Sequence, residues 1–369
     1  MPGHPLAGRR CRVHCAGDHW CVDHEGKAQS AEEAEALATS GEIDFAPCHH
    51  YGAVGPMAGV TSASMQVYIV KNETHGNLAF SNLNEGYGRV LRYGAYQEDV
   101  QERLRWMNSV MAPVLHDALA ASGPMDIRAL LAEALHMGDE GHNRNKAGSI
   151  LYTKNLAPYI AKVAPSSDVA ADILKFLGDN ALSVLNPVMA ACKAMCDAAH
   201  GVEGSTIVST MARNGTNFGI RVSGLGDQWF SAPANSPTAS TSPATRWMTP
   251  TQTLATARSP RPPASAALPW PPRPPSSPLS AASPAMPLTP RWRCTRSPLP
   301  STKASTSRAR LRARQPELTC ARWWRRITPR INTGIAHKNA GVGQVGAGLV
   351  RPPMAIFEAL VAFAERYGF

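Results

Sequence analysis

The sequence predicts a mixed α/β fold, in the α+β sense, built around a helical domain. Three observations predict it. Met65 to Val70 alternates and is rich in β-formers, as a half-buried strand is. From Glu98 to His200 apolar residues recur at three- and four-residue spacing, the mark of amphipathic helices. Ser205 to Met211 and Gly219 to Val222 then return to strand character, so the helical block sits between α/β pieces.

In chain order, residues 1–24 form an atypical N-terminus holding Cys11, Cys15 and Cys21, without clear periodicity. Residues 25–97 make an α/β segment. Within it, 29–40 is a short helix capped by Ser30, acidic in its first turn and stopped by Gly41. The glycine-punctuated loop Pro47 to Gly59 leads to the strand, which feeds the polar turn Lys71 to Asn77. Residues 98–201 form the helical domain: Val100, Leu104, Met107, Val110, Val114 and Leu115 share a face. Asp126, Ser167 and Asn186 are its expected caps, with Pro187 at a first helical position and Gly201 as the final stop. Residues 202–236 form a β segment, 237–327 are rich in Pro, Ser and Arg, and 328–369 carry a glycine-rich loop and a C-terminal helix.

The chain of 369 residues has a formal charge of +10, but the excess is local. Pro237 to Ile327 contains 15 Lys or Arg against one acid, Glu317, which leaves the remainder at −4. The basic balance therefore does not predict a nucleic-acid partner. Twenty of the 31 prolines lie between Pro233 and Pro329. No apolar run reaches the roughly 18 residues of a membrane span, and the N-terminus lacks the apolar core of a secretory leader. Cys48, Cys192 and Cys196 make a poor disulfide framework, so a cytoplasmic protein is expected; Cys192 and Cys196 fit core positions of a helix better than a redox pair.

Segment 237–327 permits three readings: an irregular or disordered linker, a basic nucleic-acid tail, or a stretch translated out of frame. Trp247-Met248-Thr249 favours the third, because its nearly unique codons, read one base upstream, give Asp-Asp. The same frame continues as an ordinary acidic loop. It also turns Trp323 to Arg326 into a possible Val-Val-Glu-Thr-Gly that joins Ile327 smoothly.

Five strings could carry chemistry. In Pro47 to Gly59, His49 and His50 are candidate substrate contacts; a metal reading of Cys48 and the histidines lacks a second spaced ligand pair. The loop's glycines would let backbone N–H groups approach an anion, and the plain alternative is a tight loop with Cys48 buried. Asn72, Glu73 and His75 in the turn, with Asn84 and Glu85 beyond it, stand where α/β sheets place ligand contacts, although Asn and Gly are also turn formers. The densest string runs from His136 to Lys146. His136, Glu140 and His142 are candidates for proton transfer and, with Asp139, have the types to bind a divalent cation; Asn143, Arg144 and Asn145 could hold a carboxylate or phosphate. An ordinary helix–helix turn with internal ion pairs is the alternative. Arg213, Asn214 and Arg221 flank an Asn-Gly turn that also reads as a plain hairpin. Asn332, His337, Gly341, Gly343 and Gly346 belong to a glycine-rich string whose G-x-G-x-x-G lacks the acidic residue of a dinucleotide site; it is expected to cradle an anion, with His337 a further proton carrier.

Pro47 to Gly59, Lys71 to Gly94, Leu135 to Gly148, Met211 to Pro233 and Asn332 to Pro353 together resemble the YlbE-like family, the AllG-type subunits of oxamate carbamoyltransferase. The likeness runs through about 25–236 and 328–369. It implies a mixed α/β protein with a helical domain, working with a succinyl-CoA-synthetase-like subunit and a third small subunit in anaerobic allantoin (purine) catabolism. The implied reaction moves a carbamoyl group between oxamate and carbamoyl phosphate. The chain departs from the family pattern across 237–327 and before about residue 25. The resemblance names no cofactor. Two functions are expected to compete: a carbamoyl-transferring enzyme subunit using a small anionic substrate, and a non-catalytic assembly subunit. In the first case the five strings should converge on one cleft.

Overall fold

The computed structural model describes residues 21–43, 45–56, 60–139, 141, 145–213, 217–235, 238–241, 331–336 and 344–368. The fold is mixed helix and strand, and its described sheets are small and antiparallel. Helix α1 (Ala31–Ser40) begins where expected: Ser30 Oγ accepts from the Glu33 N–H at 3.2 Å, and Gly41 ends it at φ 89°. The hairpin β1 (Val67–Lys71) and β2 (Leu78–Asn82) follows, with Lys71 opposite Leu78. The half-buried strand expected here is present and forms one side of a two-stranded hairpin, with Ile69 exposed.

The helical body comprises α2 (Glu98–Trp106), α3 (Ala112–Ser122), α4 (Ile127–His136), α5 (Lys146–Val163), α6 (Ser167–Asp179) and α7 (Leu185–Asp197). Between α2 and α3 the chain widens into a π-turn, Met107–Met111. Pro113 lies just beyond it, and a wider turn accommodates a ring that lacks an N–H and would crowd the preceding carbonyls. Of the expected apolar stripe, Val100, Leu104, Met107, Val114 and Leu115 are buried in one core cluster, α3 packing on α5, whereas Val110 is half-buried and Met111 takes its place in the core. Asp126 caps α4 through the Ala129 N–H at 2.9 Å.

Two expected caps are corrected. Ser166, not Ser167, caps α6, accepting from the Val169 N–H at 3.2 Å. Asn186 is not a cap, because α7 already starts at Leu185 and the Asn186 side chain bonds Asn82 and Asn84 instead of its own backbone. Helix α7 is buried on nearly every face and packs against β1, β2, α4 and the next sheet. A helix buried all round holds its polar side chains in the interior, and α7 carries two, Asn186 and Lys193.

A second core is built by β3 (Val208–Arg213), β4 (Asn217–Val222) and β5 (Phe230–Pro233), covered by α8 (Glu358–Tyr367). Val208, Phe218, Ile220 and Phe230 face Ile356, Ala359 and Phe363. A third sheet has the order β6 (Thr238–Thr241), β8 (Gln344–Val350), β7 (Ile331–Ala336). It bears on two expectations. Within 237–327, Thr238–Thr241 is a strand, and the rest of that segment lies outside the described residues. Gly346 lies on the central strand of this sheet, opposite Thr241 on one side and Ile335 on the other, so it is not part of an anion-cradling loop. Flanked on both sides, its backbone belongs to the ladder.

Candidate functional site

Asn186 and Lys193 stand seven positions apart on α7, about 10 Å along its axis. Each anchors a separate polar cluster. The first is an amide ladder. Asn84 Nδ2 donates to Asn186 Oδ1 at 2.7 Å, and Asn186 Nδ2 donates to Asn82 Oδ1 at 3.0 Å and to the Asn82 carbonyl. Asn180 Nδ2 donates to the Asn84 carbonyl at 2.8 Å. Asn84 Oδ1 accepts from the Gly86 N–H at 2.9 Å, holding Gly86 at φ 94°, where a Cβ would come within 3.3 Å of Asn180 Oδ1. Only glycine fits that turn without strain.

The ladder fixes the chain that carries Glu85 and Arg92. Glu85 accepts from the Leu91 N–H at 3.0 Å and stands 3.7 Å from the Arg103 guanidinium. Burial pushes its carboxyl above the usual carboxylate range, opposed by the Leu91 bond and by the charges of Arg92 and Arg103. Arg92 is 6% exposed; its Nη2 donates to the Gly86 carbonyl, while Nε and Nη1 are buried with no partner among the described residues. Buried guanidinium N–H groups without acceptors are costly, and they call for an explanation. Arg92, Glu85, Asn82 and Asn186 line a small cleft of about 30 Å³, walled by Pro56, Val60, Met65 and Leu104. A small set of polar groups on an apolar wall is the usual make-up of a small-molecule site, and a guanidinium among them favours an anion.

The second cluster surrounds Lys193, at the junction of the two cores. The 3₁₀ turn Cys48–Tyr51 buries His49 to 4% exposure with both ring nitrogens unpaired among the described residues. Its ring centroid lies 6.2 Å from that of Trp229, whose Nε1 donates to His50 Nε2 at 2.7 Å. Arg221 stacks over Trp229 at 5.7 Å, pairs with Asp227, and approaches His200 Nε2 at 2.6 Å. Lys193 is buried and bonds Asp197 at 2.5 Å. Burial first, then the charges of Lys193, Arg221 and His50, hold the His49 imidazole well below its usual pKa. Burial also pushes the Cys48 and Cys196 thiols up, which suits packed thiols better than reactive ones.

The remaining candidates take other places. Asn72 belongs to the β1–β2 turn, which is tied to α7: its Nδ2 and that of Asn77 donate to the Ala194 carbonyl at 3.4 and 2.8 Å. Glu73 and His75 are exposed on that turn, Glu73 beside Lys71 at 3.4 Å. His136 is exposed at the end of α4. Asp139 closes the helix–helix connection: its carboxylate accepts from the N–H groups of Gly141, Ala147 and Gly148 at 2.8, 2.7 and 3.2 Å, serving the start of α5. That arrangement follows the helix–helix turn alternative for this position. Asn145 is buried beside it. Glu140, His142, Asn143, Arg144, Asn214, His337, Gly341 and Gly343 lie outside the described residues, and of Arg213 and Asn332 only the strand positions are described. The structure thus joins His49, His50 and Arg221 in one cluster, and Asn84 with Glu85 in the other.

Sequence reasoning missed Arg92 and Asn186, the two residues that complete the cleft. Asn186 resembled a helix cap, and Arg92 stands in Val90-Leu91-Arg92-Tyr93-Gly94 with no polar neighbour to mark it. Its signal was an arginine flanked by apolar residues, which forces burial of the charge.

A family model described as "Oxamate carbamoyltransferase subunit AllG" matches residues 43–252, a span that includes the whole amide ladder, Arg92 and the Lys193 cluster. The chain belongs to the AllG family. It is 41% identical over 355 residues to the oxamate carbamoyltransferase subunit AllG of Escherichia coli K12, covering 93% of this chain and 83% of that one. It is also 41% identical to the uncharacterized protein YahG of the same organism, over 93% of this chain and 74% of YahG. A crystal structure of a conserved protein of unknown function from Enterococcus faecalis V583 superposes with a TM-score of 0.81 at 33% identity, over 99% of this chain and 88% of that one. Among the described residues of this AllG-family chain, no helix is long and apolar enough to cross a membrane, and no three His, Cys, Asp or Glu converge as a metal site.

Proposed function

We propose that this chain is the substrate-holding subunit of a cytoplasmic oxamate carbamoyltransferase-like complex, assembled with a succinyl-CoA-synthetase-like subunit and a third small subunit in allantoin catabolism. The observation that carries this reading is the buried Arg92, which lines a cleft with Asn82, Glu85 and Asn186. Family membership supplies the reaction class. In that reaction the C–N bond between the carbamoyl and oxamate parts of oxaluramate breaks. The carbamoyl carbon bonds a phosphate oxygen, and the proton released by phosphate goes to the oxamate nitrogen. Oxaluramate and oxamate share a carboxylate, which the Arg92 charge would favour. Proton transfer falls to His136, Glu140, His142 or His337, tested singly as alanine variants.

We also propose that 237–327 is out of frame, so that the chain as written turns over weakly or not at all. A continuous open reading frame in the DNA across both joints, with no base missing or extra, would refute this. The functional test measures carbamoyl phosphate formed from oxaluramate and phosphate by the complex reconstituted with frame-restored protein. Arg92→Gln should lower turnover about 100-fold or more with the complex intact, the loss of a charged hydrogen-bonding group. Unchanged turnover, or loss of the complex with intrinsic activity kept, would favour an assembly role instead.

A further inference from the structure

We propose that the outer face of the β1–β2 hairpin is the surface on which this chain docks a partner subunit, a folded protein that brings an apolar patch of its own. This rests on the chain working in a complex, as proposed above, and is independent of what the cleft binds. The hairpin is covered on one side only: Val70 and Ala79, opposite each other, pack on Ala190 and Ala194 of α7. Neighbouring positions on a strand point to the other face, so Ile69 opposite Phe80 and Lys71 opposite Leu78 make up the outer one.

The outer face continues past β2. Ala53 bridges Phe80 in parallel: the Phe80 N–H donates to the Gly52 carbonyl at 3.0 Å, and the Val54 N–H donates to the Phe80 carbonyl at 2.9 Å. A Cβ on Gly52 would lie 3.7 Å from the Phe80 ring and 3.6 Å from the Leu78 carbonyl, which sets Tyr51, the residue before it, at the margin of the same face. Three side chains here are open to water: Tyr51 is 71% exposed, Ile69 66% and Leu78 44%. A strand buried on one face is normally polar on the other, but β1 runs Val67-Tyr68-Ile69-Val70 without a polar position. That is the composition of a strand covered on both faces.

Size and charge decide what covers it. The three side chains leave roughly 350 Å² of mostly apolar surface open, near the limit that a monomer usually shows. A standard protein–protein interface takes about 800 Å² a side, a little over half of it non-polar, so this face supplies most of the apolar centre of one such contact. Tyr51 adds the aromatic anchor that these centres favour. The rim is of mixed sign: Lys71 stands opposite Leu78, with Glu73 3.4 Å from its ammonium. Such a rim suits another protein surface, whereas an anionic membrane or a nucleic acid would call for a run of cations.

The test mixes the full chain with the other subunits of the reconstituted complex and follows assembly by analytical ultracentrifugation. Wild type should assemble. Ile69→Asp should weaken assembly about 100-fold or more, because it buries a charge without a counter-ion, and Tyr51→Asp, which lies outside the strand, should weaken it about 10-fold and decides the matter if Ile69→Asp does not fold. Both variants alone should melt within about 2 °C of wild type, since the face is open in the free chain. Unchanged assembly of the folded variants, or no assembly of wild type, would overturn the proposal. So would a wild-type dimer that Ile69→Asp dissociates, because a second copy then covers the face. Protection of Tyr51 from hydroxyl-radical labelling in the frame-restored chain alone would also overturn it, because the chain then covers the face itself. A complex that needs this face yet transfers no carbamoyl group would uphold the proposal and refute the proposed reaction. Turnover by a complex that assembles equally well with Ile69→Asp would do the reverse.

Discussion

The two polar clusters on α7 differ in what surrounds their unpaired nitrogens. Arg92 is among the residues that line a cleft. At His49 the unpaired ring nitrogens lie in a packed junction with Trp229, beside the charges of Lys193 and Arg221. An unsatisfied group next to a cleft can be completed by a ligand, whereas one in a packed wall is completed by nothing and taxes the fold. Arg92 is therefore assigned to binding, and His49 to the coupling between the two cores and to acid sensitivity.

The largest expected effect that separates them is on turnover. Arg92→Gln should cost about 100-fold or more in the reconstituted assay, and Lys193→Met less than about threefold, since the Asp197 it leaves keeps contact with water. Equal losses would erase the distinction. Next in size is an asymmetry inside the junction. Asp197→Asn should destabilise by about 3 kcal/mol in denaturant unfolding, because it leaves Lys193 buried without a counter-charge, while Lys193→Met should cost under about 1 kcal/mol, because Asp197 keeps some exposure to water. Asn186→Ala should cost about 2 kcal/mol by stranding the amides of Asn82 and Asn84, and should weaken oxamate binding as the turn carrying Arg92 loosens.

The smallest effect is on pH dependence. The folded-state pKa values of His49 and His200 both lie below the usual 6.5, mainly through burial. As pH falls, the unfolded chain takes up protons first. The stability these groups contribute is therefore complete above about pH 6.5 and is lost as pH drops through the folded values. The melting temperature of wild type should fall more between about pH 7 and pH 5 than that of His49→Gln; parallel curves would show that His49 does not carry the effect.

Much of the fold was legible because local chemistry dictates it. Ser30 and Gly41 bracket α1, Asp126 caps α4, and the Val100 to Leu115 spacing faces the core, each through contacts within a turn or two. The errors came where a partner distant in sequence claims the residue. Asn186 has the type and the following proline of a cap, yet Asn82 and Asn84, about a hundred positions away, take its side chain. Gly346 has the spacing of a phosphate loop, yet two neighbouring strands take its backbone. The site was half legible for the same reason. Asn84 and Glu85 stand in a visibly polar string, while Arg92 gains meaning only when the ladder folds the chain back over it. His49 and Arg221 stand in separate strings expected to meet in one cleft, and Trp229 is the neighbour they share.

A crystal structure of the protein soaked with oxamate tests the central claim most directly, because both clusters are in view at once. The account predicts oxamate in the cleft lined by Arg92 and Glu85, with its carboxylate toward the Arg92 guanidinium, and no ligand at His49. Oxamate lodged among His49, Lys193 and Arg221, with the Arg92 cleft empty, would contradict it.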